Sequence, residues 1–123
     1  MIFAGLGFRS AAPAASLAEA LRLALAKTTL QPDALATLPH KVTAPALREL
    51  ADSIGLPIHA AVVAGQHTAT QSPRIQVGFD TGSVAEASAL AAAGPGAQLV
   101  VSRVVSADGM ATAAIATGKG LML

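Results

Sequence analysis

Ile2-Phe3-Ala4-Gly5-Leu6-Gly7-Phe8-Arg9-Ser10 is the stretch whose reading decides the fold. Its continuous apolar run, Ile2 to Leu6, closed by Gly5 and Gly7, suits a strand buried on both faces of a sheet. Pro13 and Ser16 then precede Leu17, Leu21, Ala24 and Leu25, spaced at i, i+4, i+7 and i+8. That spacing predicts a helix from about Pro13 to Thr28, with Ser16 and Glu19 in the pattern of a capping box. A buried strand, a glycine turn and an amphipathic helix form the opening of an α/β unit.

Working outward, Ala34 to Leu38 is a weak strand between Pro32 and Pro39. Thr43 to Ile54 places Leu47, Leu50, Ala51 and Ile54 on one helical face, with Thr43 as N-cap, Pro45 in the first turn and Gly55 as the stop. Pro57 to Val63 reads as another buried strand. From Ala64 to Asp80 the periodicity dissolves, and a mobile loop is expected. Ser83 and Glu86 repeat the capping-box pattern before a helix from about Val84 to Ala93, halted by Gly94-Pro95-Gly96. Leu99 to Val105 and Met110 to Ala116 are extended runs joined around Asp108-Gly109, a hairpin signal. The expectation is a single domain over residues 1–123, a three-layer α/β/α fold. Its sheet would be mostly parallel, with about five strands, a C-terminal antiparallel hairpin and the antiparallel strand at an edge.

Composition narrows the function. Thirty of the 123 residues are alanine, so the core is built from methyls and aliphatics. Three Phe, no Trp or Tyr, and eight basic against seven acidic residues leave neither the stacking platforms nor the charge of a nucleic-acid binder. Cysteine is absent, which removes disulfides and thiol chemistry and favours a reducing compartment, the cytoplasm. Mean hydropathy is +0.58, yet the most apolar stretch, Val84 to Val101, carries Glu86 and Gly94-Pro95-Gly96, so no membrane span is expected. The first residues lack the basic lead-in of a signal peptide.

Candidate binding residues gather where strands run into helices. Gly5, Gly7 and Arg9 follow the first strand; backbone N–H groups there would approach an anion, and Arg9 would add a bidentate clamp. The dinucleotide fingerprint is incomplete, because Arg9 and Ser10 stand where a third glycine is expected. Lys41 lies in the second strand-to-helix connection, and Thr81, Gly82 and Ser83 open the third helix. His40, His59 and His67 lack metal-site spacing, so no metal is expected, and His59 reads as a hydrogen-bonded core residue. No Gly-x-Ser-x-Gly elbow and no carboxylate pair is present, so no residue is singled out as catalytic. No cofactor is implied.

The ordered set Gly5-Leu6-Gly7-Phe8-Arg9, then Lys41 with Pro45 and Leu47, Leu50-Ala51 before Gly55-Leu56-Pro57, and Ser83-Val84-Ala85-Glu86-Ala87 with Ala89-Leu90 resembles the CobE / CbiG C-terminal domain family of cobalamin biosynthesis. The resemblance spans essentially the whole chain, and the Ser-Val-Ala-Glu-Ala block is its most specific part. It implies a three-layer α/β domain acting on corrin-ring precursors. In the longer proteins of the family it is fused to other regions, and those open the δ-lactone of cobalt-precorrin-5A with loss of acetaldehyde. This chain resembles the stand-alone form of the aerobic route. Phe8 stands where the family often has Cys, Ala44 where it has Glu, Gly82 where it has Pro and Arg103 where it has Lys.

The implied partner is a precorrin-type tetrapyrrole fringed with carboxylates, held in an apolar groove with cationic and N–H anchors at its rim. Gly5, Gly7, Arg9, Lys41, Thr81, Gly82, Ser83 and Arg103 are the residues expected to bind it, and the loop from Ala64 to Asp80 would fold over the ring. A maturation enzyme and a non-catalytic carrier or partner of another pathway enzyme both fit. An anion- or nucleotide-binding regulatory domain is a third reading. The alanine-rich surface also leaves room for a homo-oligomer interface.

Overall fold

A computed structural model describes residues 1–61, 81–94 and 96–118, and for residues 81–83 the backbone alone. Chain order is β1 (Ile2–Phe8), α1 (Ala14–Leu25), β2 (Ala34–Thr37), a 3₁₀ turn (Pro39–Lys41), α2 (Pro45–Ile54), β3 (Ile58–Ala60), α3 (Thr81–Ala93), β4 (Gln98–Val105) and β5 (Ala111–Thr117). The strands form one sheet in the order β3-β2-β1-β5-β4. β1, β2 and β3 are parallel, whereas β5 runs antiparallel to both β1 and β4.

The sheet is therefore mixed, not mostly parallel, and its antiparallel strand is not at an edge. β5 lies between β1 and β4, pairing residue for residue with β1 from Ile2↔Thr117 to Phe8↔Ala111. Burial matches the placement. Ala111 to Ala116 are all buried, with α1 and α3 packed against β5 and the strands β1 and β4 pairing along its two sides. β4 takes the edge instead. It leaves Leu99, Val100 and Val105 exposed, and its register with β5 is irregular between Leu99 and Val104.

The buried residues divide along the alternation of β1. Ala4, Leu6 and Phe8 join Leu17, Leu21, Leu47 and Leu50 of α1 and α2. Phe3 joins Ala34, Ala36 and the alanines Ala89, Ala91, Ala92 and Ala93 of α3. The alanines let α3 descend onto the sheet. A Cβ built on Gly5 would meet the Ala85 carbonyl oxygen at 2.1 Å and the Ala89 nitrogen at 2.7 Å, so only glycine admits the helix backbone there.

β1 is longer than expected and contains both glycines, which are strand residues and not part of the turn. The caps differ too. α1 begins after Pro13 and α2 after Ala44, neither with a side-chain cap, so Thr43 does not cap α2. Pro45 occupies the first turn of α2, and Gly55, left-handed at φ 71, ends it as expected. β3 is short, and His59 on it is exposed, edge-on to the Phe3 ring at 5.4 Å between centroids, instead of buried in the core. The third helix starts at Thr81, three residues before the expected Val84. The predicted loop from Ala64 to Asp80 lies outside the described residues. Among the described residues no helix is long and apolar enough to cross a membrane.

Candidate functional site

The end of β1 sets the geometry of one rim. β1 and β2 pair only as far as Gly5↔Ala36, and β1 runs on to Phe8. On the β2 side the overhang leaves carbonyls without ladder partners, and a buried carbonyl must find a donor. The Leu6 carbonyl accepts from the Thr37 hydroxyl at 2.8 Å, and the Phe8 carbonyl accepts from the Lys41 ammonium at 2.7 Å. Toward β5, the Gly7 carbonyl accepts from the Thr112 hydroxyl at 3.3 Å, and the Arg9 N–H donates to the Met110 carbonyl at 3.0 Å.

Lys41 is thereby anchored beside the last residue of β1. Its Nζ also lies 4.7 Å from the centroid of the Phe8 ring, over its face. Partial burial lowers the Lys41 pKa below the ordinary lysine value of 10.5, by desolvation of the ammonium. Among the described residues no carboxylate pairs with it; the ion pair found there joins Arg22 to Glu19 at 3.9 Å on α1. Arg9 follows Phe8 directly and is exposed, as is His40 beside Lys41.

All three helices point their N-termini at this rim. α1 and α2 start from the connections that leave β1 and β2 there. α3 runs back along β1: Ala85 and Ala89 lie over Gly5, whereas Ala93 lies over Gly118, which bonds to Met1 at the opposite end of the strand. Val84 and Ala87, near the start of α3, pack on Leu38 just before the Pro39–Lys41 turn. The backbone of Thr81, Gly82 and Ser83 therefore belongs to the same edge of the sheet as Arg9 and Lys41. Helix N-termini carry partial positive charge and unpaired N–H groups, so the rim is suited to anions although the net charge is only +1.

Two expected groups stand elsewhere. Gly5 lies beneath α3, with no space for a ligand, and Gly7 is a buried residue of β1 paired with Thr112 of β5. Arg103 sits on the edge strand β4, three strands from β2, which at about 4.8 Å per strand is ~14 Å across the sheet. Its backbone N–H donates to Glu86 Oε2 at 3.0 Å, so Glu86 reaches across to the irregular part of β4. Sequence reasoning missed Phe8 and Thr37. Both matter only because β1 outruns β2, and no local pattern announces a difference in strand length. Among the described residues no three His, Asp or Glu side chains gather as a metal site would require.

The family model described as "Cobalamin synthesis G C-terminus" matches residues 2–116. Among solved structures, the cobalamin biosynthesis protein chiG from Agrobacterium tumefaciens is 32% identical, with a TM-score of 0.75 over 96% of this chain and 98% of that one. CobE, a protein from the cobalamin biosynthetic pathway, is 28% identical, with a TM-score of 0.72 over 94% of this chain and 89% of its own. A cobalamin biosynthesis protein G homolog from Sulfolobus solfataricus shares the fold at 16% identity and a TM-score of 0.69; the match covers 94% of this chain and 36% of that larger one. The comparison with curated proteins finds no match.

Proposed function

The chain belongs to the cobalamin synthesis G C-terminus family, and from that premise we propose that it binds a precorrin-type tetrapyrrole at the rim formed by Arg9, Lys41 and the first turn of α3. The observation that carries the proposal is the Lys41 ammonium, held 2.7 Å from the Phe8 carbonyl with no carboxylate partner among the described residues. A cation fixed by a carbonyl keeps its charge for a ligand, whereas one in a salt bridge has already spent it on a neighbour. Precorrins carry several acetate and propionate groups, and Arg9 offers a second anchor of different geometry, a planar fork beside a point charge. Arg103 would reach only the periphery of such a ligand. In this reading α1 and α2 cover one face of the sheet and α3 the other, giving three layers with the ligand at their common edge.

Binding without turnover is the form of this function we favour, because the side chains assigned to the ligand, Arg9 and Lys41, are cationic anchors, and the carboxylate on the adjoining β4–β5 turn, Asp108, is already held by Ser106, Ser16 and the Met110 N–H. Titration with a panel of precorrins, followed by absorbance, tests it. Saturable binding of at least one intermediate is expected, weakened at least about tenfold by Arg9→Ala. Affinity for ATP or NAD with none for any tetrapyrrole would replace the proposal with a nucleotide-binding function. Conversion of a precorrin by the protein alone would make it an enzyme.

A further inference from the structure

Lysine is an awkward residue with which to fix a charge, because its long stem has many rotamers and its ammonium has no preferred direction. Here both groups that restrain it belong to one residue. The Phe8 carbonyl takes one N–H of Lys41 at 2.7 Å, and the Phe8 ring lies 4.7 Å from the same nitrogen. The ring is itself buried: Phe8 is 4% exposed, in the core cluster with Ala12, Leu17 and Ala111, its pairing partner on β5. An aromatic face attracts a cation through its quadrupole without neutralising it, and one donated N–H leaves two for a ligand.

We infer that Phe8 is a positioning residue, whose ring face and carbonyl together hold the Lys41 ammonium in place for recognition of a ligand carboxylate. The inference rests on the reading of Lys41 as a ligand anchor, and adds how that anchor is built. An aliphatic side chain at position 8 would keep the position apolar, at the cost of a cavity in the core, but hold the ammonium only through the carbonyl. The ring then serves binding as well as packing. Arg9, next to Phe8, and His40, next to Lys41, are exposed and supply no negative charge that would do the work of the ring, and Asp108 on the adjoining turn is engaged by Ser106, Ser16 and the Met110 N–H.

The test keeps the shape and removes the quadrupole. In the full chain, Phe8 is replaced site-specifically by 3,4,5-trifluorophenylalanine, and Lys41 is titrated through its side-chain ¹³Cε and ¹⁵Nζ resonances. Loss of the attraction destabilises the ammonium, so the Lys41 pKa falls by about half a unit and affinity for uroporphyrin, a tetrapyrrole bearing acetates and propionates, falls about threefold. Phe8→Leu moves both in the same direction. A Lys41 titration and an affinity that fluorination leaves unchanged would overturn the inference. Lys41→Met separates the two levels: if that variant binds uroporphyrin like the wild type, the site itself is wrong. If it loses binding while fluorination changes nothing, only the role of Phe8 is wrong.

Discussion

Glu19, in the second turn of α1, accepts a hydrogen bond at 2.8 Å from the backbone N–H of Ala107, 88 residues further along the chain. Ser16 makes a parallel connection, its hydroxyl donating to Asp108 Oδ2. The two residues that have capping-box spacing do not cap their own helix; they fasten it to the β4–β5 turn. That turn is closed internally as well. The Ser106 hydroxyl donates to Asp108 Oδ1 at 2.6 Å, the Met110 N–H to the same oxygen at 3.1 Å, and Gly109 adopts φ 74, which only glycine takes without strain. Since Met110 also receives the Arg9 N–H, the turn fixes the backbone at the start of the rim proposed to bind the ligand.

Removing the first link tests how strongly the turn depends on it. Glu19→Ala is expected to cost about 1 kcal/mol in urea denaturation, the worth of one such bond. It should raise hydrogen exchange at the Ala107 amide selectively. Equal exchange in both proteins would show that the turn stands without α1.

Asp108 gives the fold an acid sensitivity. Hydrogen bonds from Ser106, then Ser16, then the Met110 N–H, favour its carboxylate and lower its pKa from 3.8 to about 2. A carboxyl with a depressed folded-state pKa contributes stability above its unfolded value, and that contribution is lost as pH falls through about 4 toward 2. Asp108→Asn should therefore lower Tm at pH 6 and flatten the dependence of Tm on pH between 5 and 2. A dependence as steep as in the wild type would place the acid response in other carboxylates.

Gly5→Ala should be among the most disruptive single methyl additions. The new Cβ would overlap the Ala85 carbonyl and the Ala89 backbone, neither of which can swing aside like a side chain. Forcing α3 off the sheet is expected to cost at least about 3 kcal/mol, read from the urea midpoint. A loss under about 1 kcal/mol would mean that α3 is not seated as tightly as this contact requires.

Ligand affinity should also report on Lys41 through pH. Its pKa lies below the ordinary lysine value, so the cation is lost as pH rises through a range where exposed lysines stay charged. Tetrapyrrole binding is expected to weaken there in the wild type and to be flat in Lys41→Met, with Arg9 supplying what affinity remains. Identical pH profiles in the two proteins would remove Lys41 from the site.

Glu86 is tied to the edge strand. β4 is the outer strand and carries Leu99, Val100 and Val105 uncovered, the kind of edge that invites another strand. The carboxylate of Glu86 occupies the Arg103 N–H in the irregular stretch. Glu86→Ala is expected to increase concentration-dependent association in sedimentation velocity. A variant that stays as dispersed as the wild type would show that the irregular pairing alone protects the strand.

Family and element types could be read without coordinates, because each is written locally. Apolar runs, the 3.6-residue spacing of Leu17, Leu21 and Ala24, the stop at Gly55 and the turn at Gly109 all act over a few residues. Strand order was not written this way. A strand of alanines reads alike beside β1 or at an edge, and only the pairing of β5 with β1 on one side and β4 on the other, made in the folded sheet, decides between them. The partners of Ser16, Glu19 and Glu86 were equally hidden, since a side chain spaced to cap its own helix can serve a distant backbone better once packing brings one near. The hold of Phe8 on Lys41 exists only because β1 extends past β2, and relative strand length is settled by the whole sheet, not by either segment.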